Sequence, residues 1–169
     1  GTWSDSDCMY ALEQVGVPSR RVWHRETRLE DDELVVLAGG FSYGDYLRCG
    51  AIARFSPIMG AVQAHAANGG LVIGICNGFQ ILCEAGLLPG VLMRNASLQF
   101  RCQDVYLRVD DQTSPFTRGL DSQRPLRVPI SHGEGNYFAD EATLDRLQEL
   151  GRVAFRYCDA SGSVTPDAN

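Results

Sequence analysis

At 169 residues, with 44% hydrophobic residues and 18 glycines, the chain is long enough to bury a core as one globular domain and calls for no second one. A formal net charge of −6, a pI near 5.0 and arginines scattered as Arg20, Arg21, Arg25, Arg28, Arg48 and Arg54 argue against a nucleic-acid face, and no apolar run approaches a membrane span. Six cysteines with no C-x-x-C pair, and three histidines isolated from one another, argue against a disulfide framework or a structural zinc site and fit a reducing, cytoplasmic setting with no metal.

Along the chain, strand and helix patterns alternate. Asp7 to Val15 has helical spacing (Met9, Leu12, Val15) and stops at Gly16; Arg21 to Trp23 reads as a short strand; Leu34 to Leu37 is a buried-strand run. Ala38-Gly39-Gly40-Phe41-Ser42-Tyr43-Gly44-Asp45 is too rich in glycine for regular structure. Pro57 to Ala67 reads as a helix with proline in its first turn, ended by Asn68-Gly69-Gly70 before the strand Leu71-Val72-Ile73. A helix is expected from Gln80 to Ala85. Past Pro89-Gly90 the character changes: Gln99 to Val109 alternates as a half-exposed strand, Leu126 to Ile130 is a second strand, Asp140 to Leu150 is an amphipathic helix, and Val153 to Tyr157 is a strand whose turn at Asp159 to Gly162 leads toward Val164. The expected fold is therefore α/β: an open, mostly parallel sheet with helices on both faces and an antiparallel extension in the C-terminal half. Sheets of this kind bind ligands beyond the carboxyl ends of their strands.

The most informative stretch is Gly74-Ile75-Cys76-Asn77-Gly78-Phe79-Gln80, a cysteine between two glycines at a strand-to-helix turn. That is the pattern of a nucleophile elbow with sulfur in the serine position. The turn crowds its flanks, which glycine tolerates, and the helix start beside Cys76 favours a thiolate. The bland alternative is a buried structural cysteine. The loop Gly39-Gly40-Phe41, expected at a neighbouring strand end, reads as an oxyanion-binding backbone that lies close to a substrate. A thioester-forming nucleophile generates such an oxyanion, and one preorganised N–H donor is worth about 2.7 to 4 kcal/mol. The loop has no G-K-[ST] and no G-x-G-x-x-G, so a nucleotide cradle is a weak alternative.

These two segments, with Tyr46-Leu47-Arg48-Cys49-Gly50, Leu87-Leu88-Pro89-Gly90, Arg94-Asn95-Ala96-Ser97 and Ser131-His132-Gly133-Glu134-Gly135-Asn136-Tyr137, closely resemble the free-standing glutaminase subunits of phosphoribosylformylglycinamidine synthase, a family of class I (triad) glutamine amidotransferases in purine biosynthesis. The resemblance runs from end to end and implies a flavodoxin-like fold. It implies hydrolysis of the glutamine side-chain amide, with ammonia passed to a large synthase subunit, alongside a small bridging subunit. No cofactor is implied in this chain; ATP and magnesium are implied on the partner synthase subunit.

Residue by residue, the resemblance makes Cys76 the attacking thiol, Gly40 and Asn77 the oxyanion N–H donors, and Gly39, Phe41 and Gln80 neighbours of the bound glutamine. Asn95, Ser97 and Phe100 resemble a segment that closes over the amino and carboxylate groups of the glutamine. Ala38 replaces a usual proline, and Thr2-Trp3-Ser4 replaces an asparagine-containing opening.

The family's first strand and its Pro-His-Pro-Glu segment, which carries the triad histidine and glutamate, have no match here, so the chain is expected to be one amidotransferase domain lacking both and inactive on its own. His132 and Glu134 copy the His-x-Glu spacing but match a separate family segment, and are expected not to be the catalytic pair. Arg48 and Arg94 are either solvated or carboxylate-binding. Two rival readings are an inactive glutaminase-like binding subunit and a cysteine hydrolase or chaperone of the same fold.

Overall fold

The computed structural model describes residues 2–40 and 50–165, so the expectations for Phe41 and Arg48 fall outside the described residues. The chain gathers into two compact units, Gly1–Val91 and Leu92–Asn169.

The first unit is built on a parallel strand pair. β1 (Leu34–Leu37) and β2 (Leu71–Gly74) run in register from Leu34 opposite Leu71 to Leu37 opposite Gly74. Their Leu-Val-Val-Leu and Leu-Val-Ile runs suit a pleated, enclosed pair. Before them lies α1 (Asp5–Gln14), and between them α2 (Ile58–Ala67) follows a 3₁₀ turn at Ala53–Phe55. Helix α3 (Asn77–Glu84) leaves β2 directly and lies against both strands. Val35, Ile58, Met59, Val62 and Ile81 form the core, with Leu37 and Val72 packed against it. Substituting Ile81, which is 5% exposed, by alanine should cost about 2–5 kcal/mol, read as a fall in the urea midpoint at constant slope.

These elements match the expected ones with shifted ends, except at Arg21 to Trp23. No strand forms there, because Glu26 takes over the main chain: the Trp23 N–H donates to Glu26 Oε1 (2.9 Å), and the Glu26 N–H donates to the Trp23 carbonyl (2.9 Å). A turn closed at both ends leaves no ladder groups at Trp23 for a neighbouring strand.

The second unit is antiparallel. The long β4 (Arg101–Val109) pairs with β5 (Leu126–His132) on one side and β7 (Phe155–Cys158) on the other. Val105, Val109 and Cys158 point into its interior. The carboxylate of Asp110 is gripped by Arg108 and Arg156, which tie the end of β4 to β7. A shorter pair, β3 (Val91–Met93) and β6 (Asn136–Phe138), was not expected from the sequence, since three-residue strands carry too little alternation to register. Helix α4 (Glu141–Glu149) is capped by Asp140, which accepts from the Thr143 N–H at 2.9 Å. Val164 lies in no strand. Among the described residues no helix is long and apolar enough to cross a membrane.

Candidate active site at the turn between β2 and α3

Cys76 sits between the last residues of β2 and the first turn of α3, with φ 56° and ψ −117°. A β-carbon-bearing residue is rarely held at positive φ, and the cost is of order 1–3 kcal/mol. The surroundings impose it. The Ile75 N–H donates to the Leu37 carbonyl at 2.9 Å, while the Gly78, Phe79 and Gln80 N–H groups turn back to the Ile75 and Cys76 carbonyls. Backbone thus runs from strand to helix with only Ile75 and Cys76 between them. The two flanking glycines permit it: a β-carbon on Gly74 would lie 2.6 Å from the Gly78 carbonyl, and one on Gly78 would lie 1.8 Å from the Leu37 carbonyl oxygen. The thiol that results is exposed.

Because β1 and β2 are parallel neighbours, the segment that follows β1 arrives beside this thiol. A β-carbon on Gly39 would lie 2.6 Å from Cys76 Cβ and 3.3 Å from its Sγ. The Gly39 carbonyl accepts two hydrogen bonds from the start of α1, from the Trp3 N–H (3.1 Å) and the Ser4 N–H (3.0 Å). In a trans peptide the C=O and the following N–H point in opposite directions. Pinning that carbonyl onto α1 therefore turns the Gly40 N–H away from α1, and no described residue's backbone accepts from it. Gly40 itself has φ +112° and its α-carbon lies against the Trp3 and Ser4 backbone. Gly39, Gly40, Cys76 and Asn77 are thus brought together as adjacent chain ends of two strands.

Asn77 and Gln80 are both buried, at 3% and 8% exposure. The Asn77 Nδ2 donates to Gln80 Oε1 at 2.8 Å across the first turn of α3. The sequence offered no sign that these two side chains hold each other.

The remaining candidates lie in the second unit. Asn95 is buried and its side chain is fully engaged. Its Nδ2 donates to the Gln99 carbonyl (2.8 Å) and the His132 carbonyl (3.0 Å), and its Oδ1 accepts from the Gly135 N–H (2.8 Å) and His132 Nδ1 (3.0 Å). Asn95 therefore shapes the segment from 95 to 100 rather than exposing its own amide. Ser97, Leu98 and Phe100 are exposed on that segment, Leu98 at positive φ. Arg94 is exposed.

The same network fixes His132. With Asn95 Oδ1 as acceptor, Nδ1 carries the proton, and Nε2 is buried with no hydrogen-bond partner. The ring does not have Glu134 on the other nitrogen from a thiol, the arrangement a Cys-His-Glu triad demands. Burial pushes the His132 imidazole below its ordinary 6.5. A base whose folded value is depressed stabilises the fold above its unfolded pKa, and that contribution is lost as pH falls below about 6.5 toward the folded value. Urea midpoints measured from pH 7 downward should therefore drop more steeply for the wild type than for His132→Gln; parallel curves would rule this out.

Cys83 is buried, and burial pushes it up to about 11; Cys8 and Cys158 are also raised, chiefly by burial. Cys102 is exposed. No group of three or more potential metal ligands occurs among the described residues.

The CobB/CobQ-like glutamine amidotransferase domain model matches residues 1–169. The chain is 59% identical to phosphoribosylformylglycinamidine synthase subunit PurQ of Bradyrhizobium diazoefficiens, over 98% of this chain and 72% of the relative. It is 65% identical to the PurQ subunit of Nitrobacter winogradskyi (95% and 70%) and 56% identical to that of Moorella thermoacetica (100% and 72%). A chain in the structure of PurLQS from Thermotoga maritima superposes with a TM-score of 0.82 at 41% identity, over 96% of this chain and 73% of that one.

Proposed function

The chain belongs to the CobB/CobQ-like glutamine amidotransferase family, and from that premise we propose that it is the glutaminase subunit of a phosphoribosylformylglycinamidine synthase in purine biosynthesis. The observation that carries this reading is the strained, exposed Cys76 packed against Gly39. Cys76 Sγ attacks the side-chain carbonyl carbon of glutamine. A C–S bond forms, the carbonyl π pair moves onto oxygen, and the Gly40 and Asn77 N–H groups stabilise that oxyanion. Collapse of the intermediate breaks the C–N bond and, with a proton supplied to nitrogen, expels ammonia. Water then cleaves the thioester to give glutamate and the free thiol. Gly39 and Gln80 line the glutamine. Ammonia passes to the large synthase subunit, which together with a small subunit forms the working complex; ATP and magnesium belong to that large subunit.

Thiol chemistry tests the reading. A glutamine-shaped electrophile should modify Cys76 in preference to the other five cysteines, whereas a small unspecific alkylating agent should modify both thiols that are exposed among the described residues, Cys76 and Cys102. Peptide mapping distinguishes these outcomes. Equal labelling of Cys76 and Cys102 by the glutamine mimic would remove the basis for a glutamine site at the elbow.

A further inference from the structure

Trp23, Ile52 and Phe55 are 60%, 42% and 74% exposed, and the chain holds them together as one surface. The Trp23 and His24 rings meet edge to face with centroids 4.6 Å apart. His24 Nδ1 lies 3.4 Å from Ser56 Oγ, and the His24 carbonyl accepts from the Ile58 N–H at 3.3 Å. These bonds set Trp23 and His24 beside the turn at Ala53–Phe55. On that turn the Arg54 guanidinium stacks over Phe55, 4.4 Å from the ring centroid, and donates to the Glu84 carbonyl at 3.4 Å. Exposed Trp and Phe with a stacked Arg are the side chains that carry most of the energy in protein association.

The patch stands at the end of the sheet that carries Cys76. Parallel strands are joined by a crossover, so the turn entering α2 lies at the carboxyl end of β1, as the Cys76 turn lies at that of β2. Packing agrees. A β-carbon on Gly50, whose carbonyl accepts from the Arg54 N–H, would lie 2.9 Å from the Ile81 backbone, about one helical turn beyond Cys76. The charged residues of segments 22–26 and 52–57 are Arg25, Glu26 and Arg54, a net positive rim on a chain of net charge −6.

We propose that this patch is the docking surface for the large synthase subunit, received there by apolar pockets for Trp23 and Phe55 within an acidic rim. The inference rests on the glutaminase reading and deepens it by naming the surface the partner takes. Chemistry selects that occupant. Ammonia released at Cys76 stays a nucleophile only while it is unprotonated and undiluted, so the subunit that consumes it must close over the end of the sheet where it is released. A second copy of this face would instead bring like charges together.

Titrating the full subunit onto the large synthase subunit, with the small subunit present, tests the proposal. Trp23→Ala and Phe55→Ala should each weaken association about thirtyfold or more. Both rings are exposed, so the free variants should melt near the wild type. Arg25→Glu should weaken association and flatten its salt dependence, as reversal of a rim charge does. Glutamine-dependent amidation by the ring variants should fail with dilute subunit and regain the wild-type kcat with subunit in excess, because neither ring touches the reacting atoms.

Wild-type affinity in both ring variants would overturn the inference. So would ring variants that lose only self-association, or only contact with the small subunit; either result leaves the Cys76 reading standing. A wild-type subunit that neither binds the large subunit nor hydrolyses glutamine with it would overturn both.

Discussion

Cys76→Ser should abolish glutamine-dependent amidation by the assembled synthase while ammonia-dependent amidation continues close to the wild-type rate. The thioester exists only to release ammonia, so ammonia supplied in the medium bypasses the step that serine cannot perform. Removing a covalent nucleophile costs at least ~10³-fold in kcat, larger than any other single change at this site should produce. Serine is also nearly isosteric and can adopt the same strained backbone, so a lost activity is not a lost fold. A serine variant that released glutamate from glutamine at a rate near wild type would refute the assignment.

The largest structural effect is expected from Gly78→Ala. The added β-carbon would stand 1.8 Å from the Leu37 carbonyl oxygen, a backbone atom, and that oxygen already accepts from the Ile75 N–H. No rotamer change can relieve a backbone collision; α3 must lift off β1, taking Ile81 out of the core. The cost should reach about 4 kcal/mol or more, at the upper end for a single substitution. That is enough to leave a domain of ordinary stability largely unfolded. Gly60 provides the control. It lies within α2 with nothing within 4 Å of a β-carbon, so Gly60→Ala should be neutral or stabilising by about 0.5–1 kcal/mol. Chemical denaturation of both variants compares them directly; similar midpoints would show that the approach of α3 to β1 is looser than the structure places it.

The strand pair and the elbow were legible because they are written in local terms. Leu34 to Leu37 and Leu71 to Ile73 are apolar runs bounded by glycine, and G-x-C-x-G marks a turn that only small flanking residues allow. The convergence of Gly40 and Cys76 followed from the parallel pairing those runs imply. What was not legible were side-chain partnerships. Nothing in the spacing of Asn95 and His132 says that they share a hydrogen bond across 37 positions, and the chemistry of Asn77 and Gln80 suggested ligand contact before it suggested contact with each other. Arg21 to Trp23 failed as a strand for the same reason: one glutamate side chain three residues on captured the backbone that a ladder required.

The anchoring of the Gly39 carbonyl has an evolutionary and practical reach. Trp3 and Ser4 hold it through main-chain N–H groups alone, which nineteen of the twenty residue types possess. The contact is therefore blind to side-chain identity, and an unusual Thr2-Trp3-Ser4 opening can drift freely so long as proline stays out of positions 3 and 4. The two sides of this one peptide group thus obey opposite rules: the Gly39 α-carbon admits no substituent, while its carbonyl is served by positions open to almost any. The Trp3 indole, 82% exposed, is consequently a native fluorophore attached by a single residue to the peptide that would receive the oxyanion. Its emission, or that of a dye placed there instead, offers an optical record of that peptide's movements in a working complex without altering the groups that do the chemistry.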